Sequence, residues 1–258
     1  MRHLIIGAGN LGLDLQLALQ KAGHIAFTVS RTNGFNYPLD DVKSLLLNDP
    51  DYIWVAAGAG SVEQVKKNIV PSVDLNVRLI AELIDVVPEH IRIVTFSSDY
   101  AAEPDGTDAI CSNPQSIYAL TKCWQEELIK MSGRKNIKAI RVSNLYGSYY
   151  PLNTFPGKLM AKYEAGVREF CLPTNECCPT STRQLSEKIV ENLDALFAFP
   201  GEVLQLAPSG VTTYEKWGRL ILPEDVTITT TEDLERPFLS RLGSFTLWEN
   251  WETLWRQR

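Results

Sequence analysis

Arg2-His3-Leu4-Ile5-Ile6-Gly7-Ala8-Gly9-Asn10-Leu11-Gly12 opens the chain with a short apolar run and a GxGxxG turn. Behind it, Leu11, Leu15 and Ala18 recur at helical spacing up to Lys21, and Gly23 supplies a stop. The stretch therefore predicts strand, tight turn and helix in immediate succession. Each glycine has a geometric reason in such a turn. Gly7 permits the sharp reversal, Gly9 lets a diphosphate approach the backbone, and Gly12 allows helix and strand to pack closely. The free N–H groups at the helix start would then receive the diphosphate, with Asn10 and Leu11 beside it. In this context the motif points to a bound dinucleotide.

Working outward, strand-sized and helix-sized segments alternate. Ile25 to Val29, Tyr52 to Ala57, Ile91 to Ser97 and Ile137 to Val142 read as strands, and Val73 to Val86 and Tyr118 to Met131 as helices. The strands are nearly continuous apolar runs, as expected when both faces of a parallel sheet are covered. The expected fold is α/β, a Rossmann-type doubly wound parallel sheet. Residues 1–145 would form the dinucleotide-binding domain and residues 146–258 a smaller substrate-binding region. Within the latter, helices are expected over Lys158 to Ala165, Ser181 to Phe197 and Tyr214 to Ile221, and a strand over Val203 to Leu206. The 181–197 helix, with Leu185, Ile189, Leu193 and Leu196 on one stripe, is expected to pack back on the first domain. Trp248, Trp251 and Trp255 form an aromatic stripe of the kind that usually packs a core.

Composition narrows the function. Of 258 residues 45% are hydrophobic and 22% charged, and 25 Lys+Arg against 31 Asp+Glu leave a net charge of −6. Without a basic run the chain is a poor binder of nucleic acid polymers. No apolar stretch approaches the length of a membrane helix, and no signal peptide is recognisable, so a cytoplasmic protein is expected. Five cysteines and three scattered histidines support neither a disulfide framework nor a Ser-His-Asp hydrolase. No metal site is expected. A homodimer is left open.

The second strand ends Thr28-Val29-Ser30-Arg31-Thr32, without the acid that usually holds the ribose hydroxyls of NAD. Ser30 and Arg31 suit a 2′-phosphate, so NADP(H) is expected in preference to NAD(H). A solvated loop charge is the alternative for Arg31. Tyr118 and Lys122 stand four apart and share a helix face. An ammonium there favours the ionised phenol, a proton donor or acceptor near neutral pH. Ser98, at the carboxyl end of the preceding strand, is placed to hydrogen-bond a substrate carbonyl.

These motifs together resemble the extended short-chain dehydrogenase/reductases, and among them the dTDP-4-dehydrorhamnose reductase family. Pro50-Asp51-Tyr52-Ile53-Trp54-Val55-Ala56-Ala57 is similar to its PDVVINAAA strand, Ser97-Ser98-Asp99-Tyr100 to its STDYVFDG segment, and Tyr118 with Lys122 to its YGxxK helix. Arg141-Val142-Ser143-Asn144-Leu145-Tyr146-Gly147, Cys178 to Leu185, Gly210 to Tyr214 and Arg236-Pro237-Phe238-Leu239-Ser240-Arg241-Leu242 resemble later family motifs. The resemblance implies a catalytic triad of Ser98, Tyr118 and Lys122, with Lys122 also on the nicotinamide ribose. It implies Ala56, Ala57 and Gly58 along the cofactor and Asp40 near the adenine. Asp99 and Tyr100 would lie near the sugar, Asn144 and Asn153 would face the nucleotide-sugar, and Arg236 would hold its diphosphate or tie down the tail.

Departures accompany the likeness. Ile6 stands where the family has its first glycine, and Ala101-Ala102-Glu103 replaces VFDG. The implied function is an NADPH-dependent reductase of a nucleotide-activated 4-keto sugar. Its alternatives are a nucleotide-sugar epimerase and a non-catalytic NAD(P)-binding regulatory or partner subunit. A 4,6-dehydratase is disfavoured, because Tyr100 stands where its glutamate would follow Asp99.

Overall fold

The computed structural model describes residues 1–103 and 109–236. The three tail tryptophans, Pro237 to Leu242 and Pro104 lie outside that range. Six parallel strands form the central sheet: β1 (Arg2–Ile6), β2 (Ile25–Val29), β3 (Tyr52–Val55), β4 (Arg92–Ser98), β5 (Ile137–Val142) and β10 (Val203–Gln205). Their spatial order is β2-β1-β3-β4-β5-β10. The chain therefore leaves β1 toward one edge and returns to build the other, which places a topological switch point between β1 and β3.

Period-two alternation decides which side chains meet which helices. From β1 and β3, Leu4, Ile6, Ile53 and Val55 face one layer. There they pack against α4 (Leu79–Val86) through Leu79, Ile80 and Leu83, and Ile129 of α5 (Ile117–Ser132) joins them. Ile5, Tyr52 and Trp54 point the other way, onto Leu11, Leu15 and Leu19 of α1 (Asn10–Lys21). The same layer holds Leu185 and Ile189 of α7 (Thr182–Glu191) and Leu193 and Leu196 of α8 (Leu193–Ala198). After residue 146 the chain thus returns to the sheet twice, through these helices and through β10.

The structure departs from the sequence expectation in instructive places. The expected single helix over 181–197 breaks at Asn192, whose side-chain amide donates to the Lys188 carbonyl at 2.9 Å. A side chain that takes an i−4 carbonyl competes with the backbone for it. The helix expected from Val73 begins earlier, as α3 (Ile69–Val73), and widens into a π turn over Asp74–Arg78 before α4. Asn76 sits in that turn, 1% exposed, and is directed at the loop after β3. Such bulges recur at functional sites.

The remaining elements escaped the sequence reading. They are α2 (Val62–Lys67), capped by Ser61, and a parallel pair, β7 (Glu169–Pro173) with β12 (Thr227–Thr231). Two-residue pairings join β6 (Leu145–Tyr146) to β9 (Thr180–Ser181) and β8 (Glu176–Cys177) to β11 (Thr212–Thr213). Four threonines in β12 and strands of two residues carry no apolar periodicity to read. Leu145 of β6, α6 (Phe155–Glu164) and α9 (Tyr214–Ile221) contribute to the second wall of the cavity described next.

Candidate active site

At the switch point the glycine turn after β1 faces the Ala56 to Gly60 loop after β3. Gly7 has φ +111°, and a Cβ there would stand 2.6 Å from the Ala57 nitrogen. At Gly12 a Cβ would stand 1.9 Å from the Gly7 carbonyl oxygen. Both are packing glycines. Gly9 is different: a Cβ would meet nothing within 4 Å. As N-cap of α1 it also has no side-chain hydrogen bond, which leaves the first helical N–H groups to a ligand. Space in front of an uncapped helix start fits a dinucleotide's diphosphate.

At the end of β2, the Ser30 backbone closes a turn onto Asn33, and its hydroxyl lies 3.3 Å from that of Thr32. Arg31 is exposed. Asp40 is exposed too, and one carboxylate oxygen accepts the Asn36 N–H at 2.5 Å.

β4 delivers Ser98 and Asp99 to the same end of the sheet. Opposite them, Ser116 caps α5 by accepting the Ala119 N–H at 3.1 Å, which sets Tyr118 and Lys122 on the inward face. Lys122 Nζ donates to the Phe96 carbonyl at 2.8 Å and to Gln125 Oε1 at 3.1 Å. Burial pushes this ammonium down to about 8, partly opposed by nearby Glu126. Burial pushes the Tyr118 phenol up to about 12; Asp99 adds to the rise and the bond to Ser98 opposes it. In this ligand-free state burial sets the phenol, and the Lys122 ammonium is engaged by Phe96 and Gln125. The Ser98 hydroxyl donates to Asp99 Oδ1 at 2.8 Å, and Ser143 donates to Asp99 Oδ2 at 2.7 Å. In this state the Ser98 proton faces Asp99, a carboxylate only 4% exposed.

The substrate-side wall is a chain of side-chain hydrogen bonds. Asn144, at φ 44°, accepts from the Tyr214 hydroxyl and donates to Ser143 Oγ at 3.0 Å. Arg236 Nη1 donates to the hydroxyls of Tyr214 at 2.9 Å and Tyr100 at 3.2 Å, with its guanidinium 4.5 Å above the Tyr214 ring. Arg236 Nε reaches Asp233 at 2.8 Å. Asn175 in turn holds the Asp233 backbone through both ends of its amide.

Between these walls lies a cavity of about 380 Å³, within the range of small-molecule sites. It brings together Asn10, Leu11, Ala56, Ala57, Gly58, Ser98, Asp99, Tyr100, Tyr118, Lys122, Asn144, Asn153 and Arg236. Gly7, Gly9, Gly12, Ser30, Arg31 and Asp40 are not part of its lining. The sequence reading missed Asn76, Gln125 and Tyr214. Asn76 Oδ1 accepts the Ala59 N–H and its Nδ2 donates to Thr121 Oγ1, each at 3.0 Å, so it ties the β3 loop to α5. Its signal was a polar residue on the apolar stripe of the helix expected over Val73 to Val86, three, four and seven positions before Leu79, Ile80 and Leu83. Tyr214 had none beyond its place in a motif.

All five cysteines are free thiols, and burial pushes those of Cys177 and Cys178 up. Among the described residues no group of three His, Cys, Asp or Glu gathers to hold a metal, and no helix is long and apolar enough to cross a membrane.

A parallel sheet thus carries a glycine turn at its switch point, with Ser98 at the adjoining strand end and Tyr118 and Lys122 on α5 facing the same cavity. The model of one family, the RmlD substrate binding domain, matches residues 1–237. The chain belongs to that family. Among solved structures it resembles a dTDP-4-dehydrorhamnose reductase from Clostridium acetobutylicum, with a TM-score of 0.81 and 20% identity over 100% of this chain and 98% of the other. A dTDP-4-dehydrorhamnose reductase from Bacillus anthracis in complex with NADP gives a TM-score of 0.81 and 18% identity over 98% and 96%. A UDP-glucose 4-epimerase from Thermus thermophilus in complex with NAD gives 0.71 and 16% over 94% and 91%. No curated protein matched in a comparison of sequences.

Proposed function

We propose that the protein is an oxidoreductase that reduces a nucleotide-activated 4-keto sugar with NADPH. One observation carries this reading: Ser98, Tyr118 and Lys122 share a single cavity with the Asn144–Tyr214–Arg236 wall, at the strand ends beside the glycine turn. The family and the reductase neighbours point the same way. NADPH, when bound, supplies the hydride. The open space at Gly9 and the uncapped α1 fit its diphosphate, and Ser30 and Arg31, with no acid beside them, favour a 2′-phosphate.

Tyr118 is the proton donor in this reading. Burial holds it protonated before the reaction, and the proton leaves only as negative charge develops on the carbonyl oxygen with the arrival of hydride. Lys122, within reach of the same cavity, would take the nicotinamide ribose and stabilise the phenolate that remains. Asp99 keeps the Ser98 hydroxyl oriented until a substrate oxygen, or the new phenolate, competes for its proton. Arg236 and Asn144 would meet the nucleotide-sugar, and Asn153 would stand at the cavity's outer edge.

The test is NADPH oxidation, followed by absorbance, against nucleotide-linked 4-keto-6-deoxy sugars, with Tyr118→Phe as control. Turnover should fall by about 10²–10⁴ in the variant while NADPH still binds. Tight NADPH binding with no turnover on any such sugar would reject the reductase and leave a binding subunit. Arg31→Ala tests the cofactor preference: NADPH affinity should fall about tenfold more than NADH affinity. Equal losses would return Arg31 to a solvated loop charge.

A further inference from the structure

Asn10 is the first residue of α1 and belongs to the glycine turn, yet its side chain is directed elsewhere. Both ends of its amide meet one residue 140 positions away. Oδ1 accepts the Tyr150 N–H at 2.8 Å, and Nδ2 donates to the Tyr150 carbonyl at 3.1 Å. Its Cβ and Cγ lie over Gly147 so closely that a Cβ on that glycine would stand 2.9 Å from each. The glycine that follows Tyr146 is therefore required by the Asn10 side chain as well as by Thr182, whose hydroxyl would be 2.4 Å from the same Cβ.

Tyr150 leads directly into the substrate-side wall. The Pro151–Asn153 turn follows, and its first carbonyl accepts the Thr154 hydroxyl at 2.6 Å. Gly157 lets α6 close on it, since a Cβ there would stand 2.0 Å from the Pro151 carbonyl oxygen. Asn153, Thr154, Phe155 and Lys158 then line the cavity. Much of the segment's outer surface faces solvent: Tyr149 is 45% exposed, Tyr150 47% and Leu152 63%. A turn that receives one ligand thus grips, through a single side chain, the strip of chain that receives the other.

We propose that Asn10 is a positioning residue, a latch that seats the Tyr150–Asn153 segment on the α1 turn and makes the two halves of the cavity bind cooperatively. A diphosphate resting on the first N–H groups of α1 steadies the Asn10 backbone and with it the latch. The wall then meets a nucleoside diphosphate already ordered, and linkage makes the benefit mutual. The identity of the second ligand rests on the function proposed above; the latch itself does not.

The experiment uses the full chain and Asn10→Ala. Without ligand, chymotrypsin should cut at Tyr149 or Leu152 about fivefold faster in the variant, because the open form is more populated. In binding titrations, thymidine diphosphate should tighten NADPH about fivefold or more in the wild type. That ratio should fall to about one in Asn10→Ala. Gly147→Ala, which crowds the Asn10 side chain together with the Thr182 hydroxyl, should show the same loss of coupling. An NADPH affinity lowered in Asn10→Ala as much as the coupling would make Asn10 a cofactor ligand and overturn the latch. Unchanged cleavage, or a wild-type ratio of one, would overturn it as well. If thymidine diphosphate does not bind the wild type, the nucleotide-sugar reading and the cooperative part of the proposal fall, and the cleavage result still decides whether the latch exists.

Discussion

Around Gly7 the contacts are backbone to backbone: Gly7 N–H to the Val29 carbonyl at 2.8 Å, and Ala57 N–H to the Ile6 carbonyl at 2.6 Å. Across the cavity, at Asn144, Tyr214 and Arg236, they run from side chain to side chain between residues up to 136 positions apart. The first arrangement accepts any ligand that can use N–H groups and space, and it depends on the absence of side chains. The second presents particular hydroxyls, an amide and a guanidinium, so it discriminates. One fold can therefore keep its cofactor end while its substrate end diverges, which is how a shared scaffold hosts several activities.

Beneath both ends lies the ion pair of Glu126 and Arg141, with neither side chain exposed. Arg141 Nη2 and Nε donate to the two carboxylate oxygens at 2.7 and 2.9 Å, and Ser97 adds a bond at 2.5 Å. Glu126→Gln leaves a buried guanidinium without its counter-charge, so unfolding in urea should show a loss of about 3–5 kcal/mol. Adding Arg141→Met should recover most of it. If the single variant instead kept its stability and lost only nucleotide-sugar binding, this pair would belong to the substrate end rather than to both.

A second test probes the opposite, amino end of the sheet. His3 is fully buried, accepts the Trp54 indole N–H at 3.1 Å and stacks on Tyr52. Burial lowers it from 6.5 to about 4. Between those values the unfolded chain binds the proton and the folded chain does not, so stability rises with pH through the window. The contribution is complete above pH 6.5 and is lost progressively as pH falls toward 4, to a total of about 3 kcal/mol. Acid titrations of stability should be flatter in His3→Phe than in the wild type. Ligand affinities at the two ends should fall together with folding, and a selective loss at one end would mean that His3 acts on that end alone.

The smallest expected effect separates the ends most cleanly. Tyr214→Phe removes the bond to Asn144 and the acceptor for Arg236, at a cost of about 1–3 kcal/mol. The KM for the keto sugar should rise about fivefold or more, with the NADPH dissociation constant unchanged. A parallel loss of NADPH affinity would show that the two ends are one network.

Much of the first arrangement is legible in the sequence because its causes are local. The spacing of Gly7, Gly9 and Gly12 sets the backbone path, the apolar runs announce buried parallel strands, and Tyr118 and Lys122 are one helical turn apart. The candidate site was less legible wherever tertiary contact redirected a side chain. Asn10 stands in a cofactor motif but bonds Tyr150. Ser98 offers a hydroxyl whose proton is taken by Asp99. Tyr118 stands one turn from an ammonium, yet burial raises its phenol.

By itself, then, the sequence determined the alternating α/β order, the dinucleotide turn and the presence of a phenol–ammonium pair, since each follows from periodicity or spacing within about twenty residues. Only the tertiary structure decided that Asn76 would bridge the β3 loop to α5, that Tyr214 and Arg236 would converge on Asn144, and that Val203–Gln205 would complete the sheet. Those choices depend on which distant surfaces are buried together. Burial sets both the partners and the charge of a polar group, and no stretch of local sequence contains it.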